Sequence, residues 1–191
     1  MMEISYNQID SNVLPAEDFI AKTQDDRYVE ATNLYGDALT RLARGYESLP
    51  DKRQDLLQEI HVALWRSFAS FDGRCSLRTW VYRVAHIVAT RHVMSNRRVR
   101  LHEMVSLEDV PEALDQKDEL TVEENTNSLQ RLYELIEQLK PIDRQVILLY
   151  LEDFSAEAIS DVVGLSPRNI ATKIHRIKKL LTALFHERGK V

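Results

Sequence analysis

Ser155-Ala156-Glu157-Ala158-Ile159-Ser160-Asp161-Val162-Val163-Gly164-Leu165-Ser166-Pro167-Arg168-Asn169-Ile170 is the stretch on which the fold turns. It runs on through Ala171-Thr172-Lys173-Ile174-His175-Arg176-Ile177-Lys178-Lys179-Leu180-Leu181. Ile159 and Val163 give a short first helix one apolar face. Gly164 can take the left-handed conformation that ends a helix. Ser166 is a good N-cap, and Pro167 at the first helical position needs no partner for an N–H. Beyond it, Ile170, Ile174, Ile177 and Leu181 share one face at helical spacing. Ser160 is small where two helices must approach closely. Together these features predict a helix-turn-helix.

With the isoleucine face as core, the opposite face of the second helix carries Arg168, Thr172, His175, Arg176 and Lys179, flanked by Asn169 and Lys173. Arginine can pair with guanine, and asparagine with adenine, through two hydrogen bonds each in the major groove. Lys173, Lys178 and Lys179 suit phosphates, which position a helix without reading sequence. The plainer alternative is an amphipathic hairpin with a solvated basic face. Cap, glycine, small residue and charge agree here, and they favour DNA binding.

Working outward, the pattern stays helical. Leu129, Leu132, Ile136 and Leu139 predict a helix before the break at Pro141, and Asp143 to Leu151 predicts another. Toward the N-terminus, Ala16 to Tyr46 reads as helix, with Leu34, Ala38, Leu42 and Tyr46 spaced by four. Asp51 is a candidate N-cap for the next helix, which has Leu57, Ile60, Leu64 and Phe68 on one face. Phe71-Asp72-Gly73 ends it. Ser76 can cap a third helix with Leu77, Val81, Val84 and Val88 as its apolar stripe. The 191 residues contain only five glycines and five prolines, too few for a turn-rich β fold, and 44% are hydrophobic, enough for a core. The expected fold is all-α: two small helical domains joined by a flexible acidic linker. The sequence holds no apolar run of transmembrane length and no signal-peptide pattern, so membrane insertion is not expected and the cytoplasm is the default compartment.

The net charge of −5 looks wrong for a DNA binder, but its distribution is uneven. Gly73 to His102 contains Arg74, Arg78, Arg83, Arg91, Arg97, Arg98 and Arg100 and no acid. Val162 to His186 is likewise basic and free of acids. Two such stretches favour polyanion binding over solvated faces. Between them the sequence turns acidic, contains Pro111 and loses its periodicity. The boundaries predicted are 1–98, a linker 99–125, and 126–191. Fully extended, the linker could span at most roughly 90 Å, enough to bridge DNA sites about two helical turns, ~70 Å, apart.

The N-terminal half narrows the function. Asp55-Leu56-Leu57-Gln58-Glu59, Leu64-Trp65, Phe71-Asp72-Gly73 and Ser76-Leu77-Arg78-Thr79-Trp80-Val81-Tyr82-Arg83-Val84-Ala85 resemble the second conserved region of extracytoplasmic-function (ECF) sigma factors of the sigma-70 superfamily. Leu139-Lys140-Pro141 to Leu151 and the helix-turn-helix resemble their fourth region. The resemblance implies a transcription initiation factor that is not an enzyme. Its partners would be core RNA polymerase and promoter DNA, and it leaves room for an anti-sigma factor that the sequence does not name. Asp55, Gln58, Glu59 and Trp65 would dock on the polymerase. Arg74, Ser76, Arg78, Trp80, Arg83, Arg91, Arg97 and Arg98 would hold the opened −10 element. Arg168, Asn169, Thr172, Lys173, His175, Arg176 and Lys179 would read the −35 element.

The residues support this on their own terms. Trp80 and Tyr82 interleave with Arg78 and Arg83, as stacking platforms interleave with a positive track in single-strand binding. Trp80 also adjoins the apolar stripe, so a core role is the stronger expectation for it, and Arg74 and Arg78 are better candidates for strand contact. The histidines show no ligand spacing, and neither metal nor cofactor is expected. Cys75 could be a redox sensor if Arg74 favoured its thiolate; a small loop residue is the simpler reading. The competing function is a dimeric helix-turn-helix regulator that acts without replacing a sigma factor. Such a regulator would not need the polymerase-docking helix or the Arg/Trp-rich third helix.

Overall fold

A computed structural model describes residues 22–95 and 125–187. Arg97, Arg98, the expected helix before Lys22, and nearly all of the acidic linker lie outside the described residues. The seven described elements are all helices: α1 (Gln24–Tyr46), α2 (Pro50–Ser67), α3 (Leu77–Ser95), α4 (Asn125–Glu137), α5 (Pro141–Leu151), α6 (Ala156–Val163) and α7 (Pro167–Glu187).

Local chemistry sets several of the boundaries. Thr23 caps α1, its side chain accepting from the N–H of Asp26 at 3.2 Å, and Asp25 and Asp26 lie at the positive end of the helix. α2 starts one residue before the expected Asp51 cap. Pro50 takes its first turn and Leu49 is the N-cap, with no side-chain cap bond. Proline's fixed φ and missing N–H suit a first helical position, which leaves Asp51 to face the helix dipole from within the first turn. Ser76 accepts from the N–H of Thr79 at 3.0 Å and so caps α3.

Helices α1, α2 and α3 pack against one another. Leu39, Leu42 and Tyr46 of α1 meet Leu56, Ile60 and Leu64 of α2 and Val81, Ala85 and Ala89 of α3, all buried. Burying each large aliphatic side chain contributes about 1.5–3 kcal/mol. The buried line on α1 runs through Ala31, Ala38 and Leu42; Leu34, expected on it, is 42% exposed. The second group, α4 to α7, closes around Leu135, Ile136, Leu139, Val146, Ile159 and Ile177.

The two groups touch. α1 packs on α4 and α5, and α3 packs on α5 and α6. Gly45 allows a close approach: a Cβ there would lie 2.5 Å from Cδ2 of Leu148. Arg144 is buried at the same seam and donates to the carbonyls of Tyr46 at 3.4 Å, Leu139 at 3.1 Å, and Glu137. These carbonyls lie at or just beyond the C-terminal ends of α1 and α4, where a cation is favoured.

Candidate nucleic-acid interface

The helix-turn-helix forms as its sequence predicts. Ser155 caps α6 by accepting from the N–H of Ala158 at 3.2 Å. Gly164 ends it at φ 79°, ψ 19°, its N–H bonded to the carbonyl of Ser160 at 2.8 Å. Ser166 then accepts from the N–H of Asn169 at 3.4 Å as α7 begins. Ile170, Ile177 and Leu181 are buried and Ile174 is half-buried. Arg168, Asn169, Thr172, His175 and Arg176 are consequently exposed, and Lys179 is half-buried at their edge. The Thr172 hydroxyl donates back to the carbonyl of Arg168 at 3.0 Å, which leaves its oxygen free to accept. Lys173 departs from this face: its ammonium lies 2.6 Å from Oδ1 of the buried Asp143 on α5.

On the other group of helices, the loop before α3 is tied down by its own acid. Asp72 accepts from the N–H of Arg74 at 3.2 Å and pairs with its Nε at 2.6 Å. These contacts, the backbone N–H first, hold the Asp72 carboxyl below the usual carboxylate range. Gly73, at φ 75°, makes the turn. Arg74, Ser76, Trp80 and Arg83 converge with Asp72 and Asp161 on an open cleft of about 610 Å³. Trp80 is half-buried, its Nε1 donating to Ser67 Oγ at 2.9 Å and its ring edge-on to Phe71 at 5.2 Å, so its main role is packing. Cys75 also lines the cleft; burial, before any charge, pushes its thiol up, which disfavours the thiolate a redox sensor needs.

Arg78 and Arg83 turn toward the second group of helices. Arg83 donates to the carbonyl of Asp161. Arg78 donates to the carbonyl of Glu152, and its guanidinium sits 4.1 Å from the Phe154 ring centroid. The Glu152 carboxylate takes both arms of Arg41, at 2.6 and 2.7 Å, and the Tyr82 hydroxyl at 3.0 Å. The hydrogen bond to Glu152 raises the Arg41 pKa, while burial, followed by the Glu152 charge, raises that of Tyr82. Both groups therefore keep their protons. Arg91 is exposed further along α3.

On α2, Asp55, Gln58 and Glu59 are all exposed, and with the exposed Val62 they follow one helical stripe. Trp65 is 40% exposed at its end, its Nε1 donating to Oδ1 of Asp25 on α1 at 2.7 Å. The structure thus brings the expected polymerase-docking residues onto one surface and four of the expected strand-binding residues into one cleft. Arg41 and Glu152 carry no local signature in the sequence. One reads as a solvated helix residue and the other as a helix-end acid, and only packing makes them partners. Among the described residues, no cluster of His, Cys, Asp or Glu could hold a metal ion, and no helix is long and apolar enough to cross a membrane.

Comparison with known proteins matches residues 32–99 to Sigma-70 region 2 and residues 129–181 to Sigma-70, region 4. The ECF RNA polymerase sigma factor SigX of Bacillus subtilis (strain 168) is 28% identical over 138 residues, spanning 69% of this chain and 70% of its own. RNA polymerase sigma factor NccH of Alcaligenes xylosoxydans xylosoxydans is 24% identical over 167 residues, spanning 84% of this chain and 89% of its own. Among solved structures, CnrH in complex with the cytosolic domain of CnrY gives a TM-score of 0.63 at 21% identity, covering 90% of this chain and 95% of that one. Sigma factor RpoE from Bartonella quintana, in complex with the anti-sigma factor NepR, also gives 0.63, at 20% identity, covering 86% and 98%. Both structural likenesses concern the fold.

Proposed function

Because the chain belongs to the sigma-70 family, as a member of its extracytoplasmic-function group, we propose that its surfaces divide the work of initiation as follows. The protein is a transcription initiation factor whose partners are core RNA polymerase and promoter DNA. The α2 stripe of Asp55, Gln58, Glu59 and Trp65 docks on the polymerase. The cleft of Arg74, Ser76, Trp80 and Arg83 takes the unpaired −10 strand, aided by Arg78 and Arg91 and by Arg97 and Arg98 beyond the described helix. The exposed face of α7 reads the −35 element through Arg168, Asn169, Thr172, His175 and Arg176, with Lys179 on phosphate. Lys173 serves this face indirectly, by fixing α7 against α5.

One observation carries this reading: α7 leaves five polar and basic side chains exposed on its N-terminal half, opposite a buried isoleucine face. Arginine and asparagine at the start of a helix held across a second helix are what a major-groove reader requires. The factor has no bond-making role in this reading. It positions polymerase and traps melted DNA by binding energy, acting in the cytoplasm where polymerase works. A dimeric repressor is not favoured, since both sigma regions match and a repressor needs neither the α2 stripe nor the α3 cleft. The two structural neighbours, each solved with a bound partner, support an anti-sigma factor as a third partner.

The test is to mix the purified protein with core polymerase. Co-elution together with promoter-specific transcripts is the expected result. Co-elution without specific transcripts would point to a sequestering adaptor instead. Tight duplex binding by the isolated protein as a dimer would support the repressor.

A further inference from the structure

The turn Glu152-Asp153-Phe154, which joins α5 to α6, makes contacts unlike ordinary helix packing. Its carboxylate is gripped by both arms of Arg41, the fork geometry by which arginine also holds a phosphate. The same carboxylate accepts from Tyr82. Two residues on, the Arg78 guanidinium sits over the Phe154 ring at 4.1 Å, and the Tyr82 ring meets the same ring edge-on at 4.7 Å. Cation and aromatic ring are the two groups on which unpaired bases stack. Asp153, at φ 57°, is the one described non-glycine residue with a positive φ, and it turns the chain so that both neighbours meet α3. An anion and a flat ring, spaced along a chain, thus pack on two arginines and a tyrosine, with Phe154 and Tyr82 both buried in the contact.

This closed arrangement cannot serve a promoter. Arg83 is bonded to Asp161, and Arg168 is only seven residues further along the chain, at most ~25 Å. The −10 and −35 elements lie about two helical turns, ~70 Å, apart. The α3 face and the α7 face must separate before both elements can be held, and separation strips the turn from Arg41, Arg78 and Tyr82.

We propose that the Glu152–Phe154 turn is an internal occupant of a single-stranded DNA site built from Arg41, Arg78 and Tyr82. The free protein is closed on itself, and the unpaired promoter strand competes with the protein's own turn. A phosphate replaces the Glu152 carboxylate on Arg41 and Tyr82, and a base replaces the Phe154 ring on Arg78. The site extends the strand-binding surface beyond the Arg74–Arg83 cleft, and it rests on the assignment of α3 to the −10 strand made above.

The Arg41–Glu152 pair can be broken from either side, and the two sides separate this idea from plain packing. The measurements are fluorescence anisotropy of the full chain with a short, labelled, mixed-sequence single-stranded oligonucleotide, and the radius of gyration by solution scattering. Glu152→Gln and Glu152→Ala should expand the protein and tighten strand binding about tenfold, equivalent to ~1.4 kcal/mol. Arg41→Ala should expand it equally but bind the strand no better than wild type. Glu157→Gln makes the same charge change on an exposed side chain one turn away, and should leave both readings unchanged. Equal strand binding by the Glu152 and Arg41 variants, a matching gain from Glu157→Gln, or no gain from either Glu152 variant would overturn the proposal. Promoter-specific transcription by the wild-type protein with core polymerase is measured alongside. Its absence sinks the sigma assignment itself, whereas its presence with no gain from the Glu152 variants sinks only the internal occupant.

Discussion

The Tyr46 hydroxyl lies 2.9 Å from Nδ1 of His86, and both side chains are buried between α1 and α3. Burial holds His86 neutral, its pKa lowered from 6.5 to about 3. The unfolded chain binds a proton at this position below about pH 6.5, and the folded chain does not until about pH 3. Stability therefore falls on acidification through that window, by up to ~1.4 kcal/mol per pH unit at its steepest. Urea midpoints of wild type and His86→Asn at pH 7 and pH 4.5 check this. The variant should be less stable at pH 7 yet lose less on acidification; equal losses would remove His86 as the cause.

Lys173 is expected to be a structural residue rather than a phosphate contact. Its 2.6 Å pairing with Asp143, which is only 3% exposed, makes it the counter-charge of a nearly buried carboxylate. Lys173→Ala should cost roughly 1–3 kcal/mol of folding stability, because a buried charge loses its partner. Thermal unfolding measures the loss, and the order of preference among −35 variants should survive it. A changed order with unchanged stability would return Lys173 to the DNA face.

Arg168 is exposed at the start of α7, on the side away from Ile170 and Ile177. If it pairs with a guanine, Arg168→Ala costs about 1–3 kcal/mol and relaxes preference at a single −35 position. Lys179→Ala should weaken all sequences alike and flatten the salt dependence by about one unit. Transcription and binding over single-base −35 variants at several salt concentrations separate the two. Uniform loss from Arg168→Ala, with re-ranking from Lys179→Ala, would mean that the helix lies the other way round.

Polymerase docking is tested on α2. Asp55 and Glu59 are exposed and one helical turn apart. Reversing both to Lys should lower affinity for core polymerase while helix content stays constant by circular dichroism. Unaltered co-elution would take this stripe out of the interface.

Much of the molecule was legible in the residues themselves, because the determining physics is local. A glycine that must adopt a positive φ, a serine that caps the next turn and isoleucines at helical spacing place Gly164, Ser166 and the α7 face within one short segment. The same applies to Ser76 on α3 and to the exposed Asp55, Gln58 and Glu59. Periodicity says which side of a helix is apolar and hence which side is wet. It does not say which distant polar group will face a given charge. Arg78 and Glu152 are 74 positions apart, Arg41 and Glu152 are 111 apart, and Lys173 and Asp143 are 30 apart. The first two partnerships come from the seam where α1 and α3 meet α5 and α6, and the third from the packing of α7 on α5. At the seam Gly45 lets Leu148 approach and Arg144 is buried against carbonyls at two helix ends. Sequence alone determined a helix-turn-helix with an exposed, polar and basic second-helix face, and a basic α3. Only the tertiary structure decided that Arg78 and Arg83 are spent on the protein's own backbone and that Lys173 is withdrawn from the exposed face of α7 to Asp143. The reason is that a long charged side chain pairs with whatever folding carries into its reach, and only packing between helices remote in sequence sets that.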